Sequence, residues 1–597
     1  MLPECFGLGR GWAPWLIAAV LTQAGCSNGG GGQGDEGSTT DAPVEGGDDG
    51  RDTDRVPTDG TVRMLEPVEH LVRVSMALRG TRPSVADIER VEADPDAVEA
   101  IVDEYLEAPQ FGEVIRDLHN DALLVGIDVG FPAVPPLEQW FTGAIGDSVM
   151  RAPLRLAEHV VTQDLPYTEL VTADYWVVDS RAAAFYGSSY DEGGPQWQVV
   201  DIPDERPGAG VLSDNALYLR HQSAGANYNR GRANIVTRAL ICHDYLTQDI
   251  DIGDGIDLSE PENVSDAVTN LPECVACHQS LDPIASHFTG FPTEPDVGDY
   301  FDGVVEAGGT PSYPLPQLYA PEAANNWQQT TGRPPGFFGQ PTEDLGELGR
   351  AIADDPRFSL CTAKRFYAYF NQVRVEDVPL AEAAALQTVL VDSGFDAKAL
   401  VREVVLGEAF RVAEGLDDET AEQVHGYNKA RPFQLALLMD DLTGFRWEVD
   451  VALFDASLGQ GVISLARTSN VGFGVLGGGL DSQFVTQPAV TVNATTTLLL
   501  RTLAAESASF VVERDFAADA GDRRLLVDPS ATDEQAVREQ LAAMSLRIFG
   551  QRVEPDSGSI DEIYEVFAQT LDRTDDIQHA WKTTLTAMLQ DLSIIYY

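Results

Sequence analysis

From Met64 onward, apolar residues recur every three to four positions, the spacing that lines one face of an α-helix. The first stretch predicts a helix over about 67–78, broken at Gly80. Pro83-Ser84 restarts the pattern, with Ser84 and Asp87 placed as an N-terminal cap pair. A third helix over 96–106 ends near Pro109-Gln110-Phe111. The same succession returns over 365–410, with breaks before Pro379 and Asp396. It returns again over 537–596, through Gly550-Gln551-Arg552, a helix opened by Ser559 with Glu562, and a last helix over 581–589 before Tyr596. Each copy reads helix, tight Gly or Arg break, helix, loop, helix, terminal aromatic, which predicts a repeated three-helix packing unit.

Residues 112–208 are less periodic. Pro132, Pro135 and Pro136 mark a loop, a helix is expected over 154–162, a β-prone piece over 175–178, and a surface loop over 186–209. Gly210-Val211-Leu212-Ser213 leads into a helix, and an apolar helix is expected over 235–242. An acidic loop should fill 249–265 and a wrapping loop 291–342. In the last third, 445–453 and 484–492 read as strands, and 496–505 and 532–546 as helices, the latter opened by a Thr532/Gln535 capping box. The expectation is a mainly α, multi-module chain with some β in the C-terminal third. Its expected boundaries are 1–26, 27–60, 61–125, 126–209, 210–342, 343–429 and 430–597.

Composition narrows the partners. The chain holds 95 acidic against 39 basic residues, a net charge of −56. Phosphate backbones select basic surfaces, so nucleic acid is excluded as a partner, and an anionic membrane face is a poor match. Solubility by mutual repulsion accounts for the charge, and so does attraction of a basic redox partner. At the N-terminus, Arg10 precedes an apolar run over 12–21 that is short for a membrane span. The run ends in Leu21-Thr22-Gln23-Ala24-Gly25-Cys26, which resembles the lipobox of bacterial lipoproteins, with Gln23 as a departure. Cys26 is then the lipidated first residue, and Ser27, where no Asp stands, favours the outer membrane by the same resemblance. Membrane contact is expected through this anchor only. Residues 27–60, mostly Gly, Asp, Thr and Ser with almost no apolar residue, read as a solvated tether.

The candidate chemistry is Cys274-Val275-Ala276-Cys277-His278, the C-x-x-C-H attachment signal of a c-type haem. Two cysteines three apart sit about one helical turn from each other, so both sulfurs reach the vinyl groups of one porphyrin, and the adjacent histidine is placed to bind iron. The competing readings are a local Cys274–Cys277 disulfide, half of a zinc site, or idle thiols; zinc wants a second Cys/His pair that is not visible. Because the chain holds one C-x-x-C-H, the repeats read as packing units and not as repeated haem modules. A second axial ligand would come from His287, His243, His221, His425 or Met439, since no Met lies between Met150 and Met439. Arg230 and Arg232 suit haem propionates or, equally, form a pair at a helix start. Cys242 and Cys361 are the remaining mature cysteines besides Cys26, and export favours pairing them. Calcium is not expected: in the acidic run from Asp249, Asp254 stands where an EF-hand requires glycine, so it reads as a solvated loop, as do Asp296, Asp299 and Asp302.

Several of these segments fall in one order that resembles the Planctomycete cytochrome C and cytochrome-like secreted proteins, whose modules are largely domains of unknown function. They are Leu78-Arg79-Gly80-x-Arg82-Pro83-Ser84, Pro166-Tyr167-Thr168-Glu169-Leu170-Val171, Gly210-Val211-Leu212, Arg230-Gly231-Arg232, Cys274-x-x-Cys277-His278-x-x-Leu281-Asp282-Pro283, and Asp355-Pro356-Arg357-Phe358 with Cys361. The resemblance covers 64–425 well and the remainder loosely. It departs after Asp282-Pro283, where His287 is an addition. It implies helical units around a small cytochrome-c-like haem region, covalent haem c as cofactor, and an exported haem protein; it supplies no reaction. The leading expectation is a lipid-anchored carrier of single electrons. The alternatives are a haem-dependent peroxidase or oxidase, and a haemless cell-surface scaffold or binding protein whose Cys274 and Cys277 form a disulfide.

Overall fold

Gly80 ends the first helix, Pro67–Arg79, in a left-handed turn at φ 67°. The Ser84 hydroxyl then accepts from the Asp87 amide and opens Val85–Ala93, and Ala97–Leu106 follows. These are the three expected helices. The computed structural model describes residues 62–223, 227–247, 261–291, 297–416, 426–451, 461–465 and 473–597. The leader, Cys26, the tether, His425 and most of the acidic run from Asp249 lie outside the described residues.

The chain is mainly α, with four short antiparallel strand pairs among the described residues. The second three-helix succession is Pro356–Asn371, Leu380–Asp392 and Ala397–Leu406, and the third is Glu534–Phe549, Gly558–Thr574 and Ile577–Leu589. The third is opened by Asp533, whose carboxylate accepts from the Ala536 amide, and not by Thr532; Gln535 turns instead to Glu539. Strand Tyr175–Val178 pairs with Gln198–Asp201, inside the segment expected to be loop. The expected wrapping loop contains the helix Val297–Glu306 and a minimal hairpin joining Gly336–Phe337 to Gln340–Pro341. In the last third, Glu448–Asp450 pairs with Val462–Ser464. Residues 484–492 form no strand, because the Asp481 carboxylate captures the amides of Gln483, Phe484 and Val485 at 2.7–2.8 Å. That turn takes the donors a ladder would need.

Three apolar cores organise the described residues. The largest runs from Leu71 through Phe111, Leu212, Cys277, Phe288, Phe366 and Phe410 to Phe433 and Leu546, so it crosses the boundaries expected at 125, 209, 342 and 429. A second joins Met76 and Met439 to the C-terminal helices, with Trp581 against Phe567 at 4.5 Å. A smaller one gathers Ile145, Trp176, Phe185 and Tyr313.

Buried arginines bind the ends of the chain together. Arg73 donates to the carbonyls of Phe410 (2.9 Å), Val412 (2.7 Å) and Gly426. Arg82, 3% exposed, donates to the carbonyls of Ile548 (2.9 Å) and Ser593. The latter contact ties the first helical unit to the last, which explains why an arginine stands between two tight turns. No described helix is long and apolar enough to cross a membrane.

Gly210 shows what one motif residue does for the packing. Its φ is +52°, and a Cβ there would run into the backbone carbonyl of Leu170, while its amide donates to the Ala173 carbonyl at 2.8 Å. The Gly210→Ala variant should therefore lose about 2–4 kcal/mol through strain and displaced backbone. The check is a drop in thermal midpoint, with Gly208→Ser avoided as a control because its own Cβ would also clash, at the Asp174 backbone.

Candidate functional site

Cys274, Cys277 and His278 lie on the helix Pro272–Ser286. Pro272 at the first helical position needs no amide partner, and the Val275 amide closes the first turn on the Leu271 carbonyl at 2.8 Å. The helix continues through Pro283, so the segment Leu281-Asp282-Pro283 extends the same rod. Helical spacing puts Cys274, Cys277 and His278 on neighbouring positions of one face, with Asp282 one turn beyond His278. Cys274 is half-buried and Cys277 is 9% exposed; both are thiols, so the structure contains no Cys274–Cys277 disulfide.

Asp282 is the residue around which the site is built. Its side chain is 2% exposed. His278 Nδ1 donates to its Oδ1 at 2.9 Å. Arg230 grips both oxygens, Nε to Oδ1 at 2.7 Å and Nη2 to Oδ2 at 3.1 Å, and Arg333 Nε stands 3.8 Å from Oδ2. Burial alone would lift this carboxyl, but the hydrogen bonds from His278 and Arg230 outweigh it and hold the group below the ordinary carboxylate range. An ionised acceptor on Nδ1 assigns the proton to that nitrogen and turns the lone pair to Nε2. His278 Nε2 makes no hydrogen bond to any described residue, and the side chain is 20% exposed. The signal for this arrangement was present in the chain: Asp282 is four residues past His278, the one-turn spacing of a helix.

The other expected site residues separate. Arg230 engages Asp282, the carboxylate that also holds His278. Arg232 is 1% exposed and donates to the carbonyl of His221 and the amide oxygen of Asn229, both at 3.0 Å, over the Tyr218 ring. That guanidinium is enclosed by packing. His287 is engaged away from His278. It lies nine residues along the same rod, about 13 Å from His278, with Nε2 bonded to Thr342 Oγ1 at 2.7 Å and Nδ1 3.2 Å from the Ile284 carbonyl. Burial pushes its imidazole down to about 4. His221 Nε2 is held by the Leu123 carbonyl at 2.8 Å, and Met439 is buried in the second core.

His243 stands nearer the haem-signal helix. Its ring packs edge-on against Tyr245 at 4.5 Å, and the Tyr245 hydroxyl donates to Ser280 Oγ at 2.9 Å. Arg357 stacks on Phe338 at 3.9 Å beside the same histidine. Cys242 and Cys361 form a disulfide with Cα atoms 5.3 Å apart, joining the end of the Arg230–Ile241 helix to Pro356–Asn371. Asp299 and Asp302 lie on Val297–Glu306, and no group of three or more His, Cys, Asp or Glu side chains suited to a metal ion occurs among the described residues.

The chemistry of the donor set is of the kind covalent haem would use: two thiols at one-turn spacing on one helical face, and an imidazole whose Nε2 is the nitrogen not paired with Asp282. Comparison of the chain with known protein families, curated proteins and solved structures finds no match.

Proposed function

We propose that this chain is an exported, lipid-anchored c-type haem protein that carries single electrons at the cell envelope. The observation that carries the reading is His278, adjacent to the paired thiols and oriented through Nδ1 by a buried, ionised Asp282, with Nε2 left for iron. Cys274 and Cys277 would hold the porphyrin through thioethers and His278 would bind the iron. Haem supplies a one-electron couple when bound. The chain's own contribution is to fix the imidazole, keep its Nδ1–H donating to a charged acceptor, and anchor the helix in the largest core through Cys277, Leu281 and Ile284. Cys26 would attach the protein to the outer membrane, with 27–60 as a tether, and the net charge of −56 suits a basic redox partner.

The test is mass spectrometry of the mature protein made in a host with c-haem maturation machinery. The expected result is one added haem that survives denaturation, with a Soret band, and loss of both in the Cys274→Ala/Cys277→Ala variant. Wild-type protein without haem mass under those conditions would refute the proposal and leave the scaffold reading.

A further inference from the structure

We infer that Asp282 is a positioning residue that lowers the reduction potential of iron held by His278, and that Arg230 limits the size of that effect. The inference rests on the haem reading above and deepens it: the protein would work at the low-potential end, as a donor to its partner.

The geometry is a contest for one oxygen. Asp282 Oδ1 receives both His278 Nδ1 at 2.9 Å and Arg230 Nε at 2.7 Å. A charged acceptor draws the Nδ1 proton toward itself and raises electron density at Nε2, which favours the more positive, oxidised iron. A neutral carbonyl in the same place would do this less, because hydrogen bonds to ionised groups are roughly twice as strong as neutral ones. Arg230 pulls on the same oxygen and holds the second one at 3.1 Å, so it withdraws part of the charge that His278 would otherwise feel.

Both halves of the device are rigid. His278 and Asp282 are one turn apart on Pro272–Ser286, and the Asp282 carbonyl is further held by the Ser286 hydroxyl at 2.9 Å. Arg230 opens the helix Arg230–Ile241, whose far end is fixed by the Cys242–Cys361 disulfide. Two segments 52 residues apart are thus brought together at one carboxylate. Their pairing leaves Nε2 of His278 without a described partner.

The experiment is a spectroelectrochemical titration of the haem-loaded protein and its variants. Asp282→Asn should raise the potential, by about tenfold in the reduction equilibrium, or about 59 mV for one electron. Arg230→Gln should move it the opposite way. Asp282→Glu, which keeps the charge, should fall between the wild type and Asp282→Asn. Glu273→Gln removes a charge from an exposed site on the same helix and should change the equilibrium less than about twofold, because exposed charges are strongly screened. Shifts of the same sign in Asp282→Asn and Arg230→Gln, or a Glu273→Gln shift equal to that of Asp282→Asn, would overturn the inference. If Asp282→Asn does not accumulate folded protein, Arg230→Gln decides: an unchanged or raised potential overturns it. Wild-type protein lacking a Soret band would instead remove the haem reading on which the inference stands.

Discussion

Acidification from pH 6.5 to 4.5 should destabilise the largest core by roughly 5 kcal/mol. Burial pushes the imidazoles of His70, His119, His221 and His287 down to about 4. Each is engaged in the folded state: His70 with the Val405 carbonyl at 2.8 Å, His119 with the Tyr167 hydroxyl at 2.9 Å, His221 with the Leu123 carbonyl at 2.8 Å, and His287 with Thr342 at 2.7 Å. The unfolded chain protonates all four near pH 6.5 while the folded chain does not until about 4, so their contribution is present above pH 6.5 and lost as the pH falls through that window. Asp214 and Asp117 act in the opposite sense. Burial lifts both to about 6, in Asp117 against the pull of Arg431. They bind a proton in the folded state that the unfolded chain releases down to its ordinary value near 4, and so they favour the fold on acidification. Among these six groups, four against two leave a net uptake of about two protons on unfolding, worth ~3 kcal/mol per pH unit at mid-window, and His159 and His243, also pushed down by burial, act in the same sense as the four. Urea titrations at pH 6.5 and 4.5, followed by a probe of the largest core, should show the midpoint fall steeply. His119→Gln should flatten the pH slope by about one proton. A midpoint independent of pH over this range would contradict the buried, neutral state of these histidines.

Removing the Cys242–Cys361 disulfide should cost about 5 kcal/mol, because it closes a loop of 119 residues and the unfolded chain regains that loop's freedom. The helix it secures should nonetheless stay docked. Arg365 donates to the carbonyls of Ala239 at 2.8 Å and Arg238 at 2.5 Å, gripping the last turn of Arg230–Ile241 from the same neighbouring helix. The expected outcome for Cys242→Ala/Cys361→Ala is therefore a thermal midpoint well below wild type with an unchanged far-ultraviolet spectrum at room temperature. A midpoint within a degree of wild type would show that the noncovalent clamp already holds the segment in the unfolded chain.

How far the chain could be read in advance depended on the range of the interaction. Ser84 was legible as a cap because its partner, the Asp87 amide, is three residues away. The strand expected over 484–492 failed on a local competitor of equal range, the Asp481 carboxylate, which collects three amides in succession. The helix Phe111–Leu123 lay past the apparent stop at Pro109-Gln110-Phe111, where the chain turns over residues 107–110 and then resumes. Asp282 was visible in the motif, but its role required knowing that the helix runs unbroken through Pro283 and that Arg230 arrives from another element. Arg232 and Arg230 read as a pair; packing sent one to backbone carbonyls and the other to Asp282.

By itself the amino-acid order determined the mainly helical character, the recurrence of three-helix units, and the spacing that sets two thiols and an imidazole on one turn of one helix. Those properties depend on contacts within four residues, where backbone geometry leaves few choices. Only the tertiary structure decided that one core spans segments from Leu71 to Leu546, that His287 is tied to Thr342, and that Arg230 reaches the carboxylate beside His278. Those outcomes join residues tens to hundreds of positions apart, and the pairing is selected by packing, which no local pattern encodes.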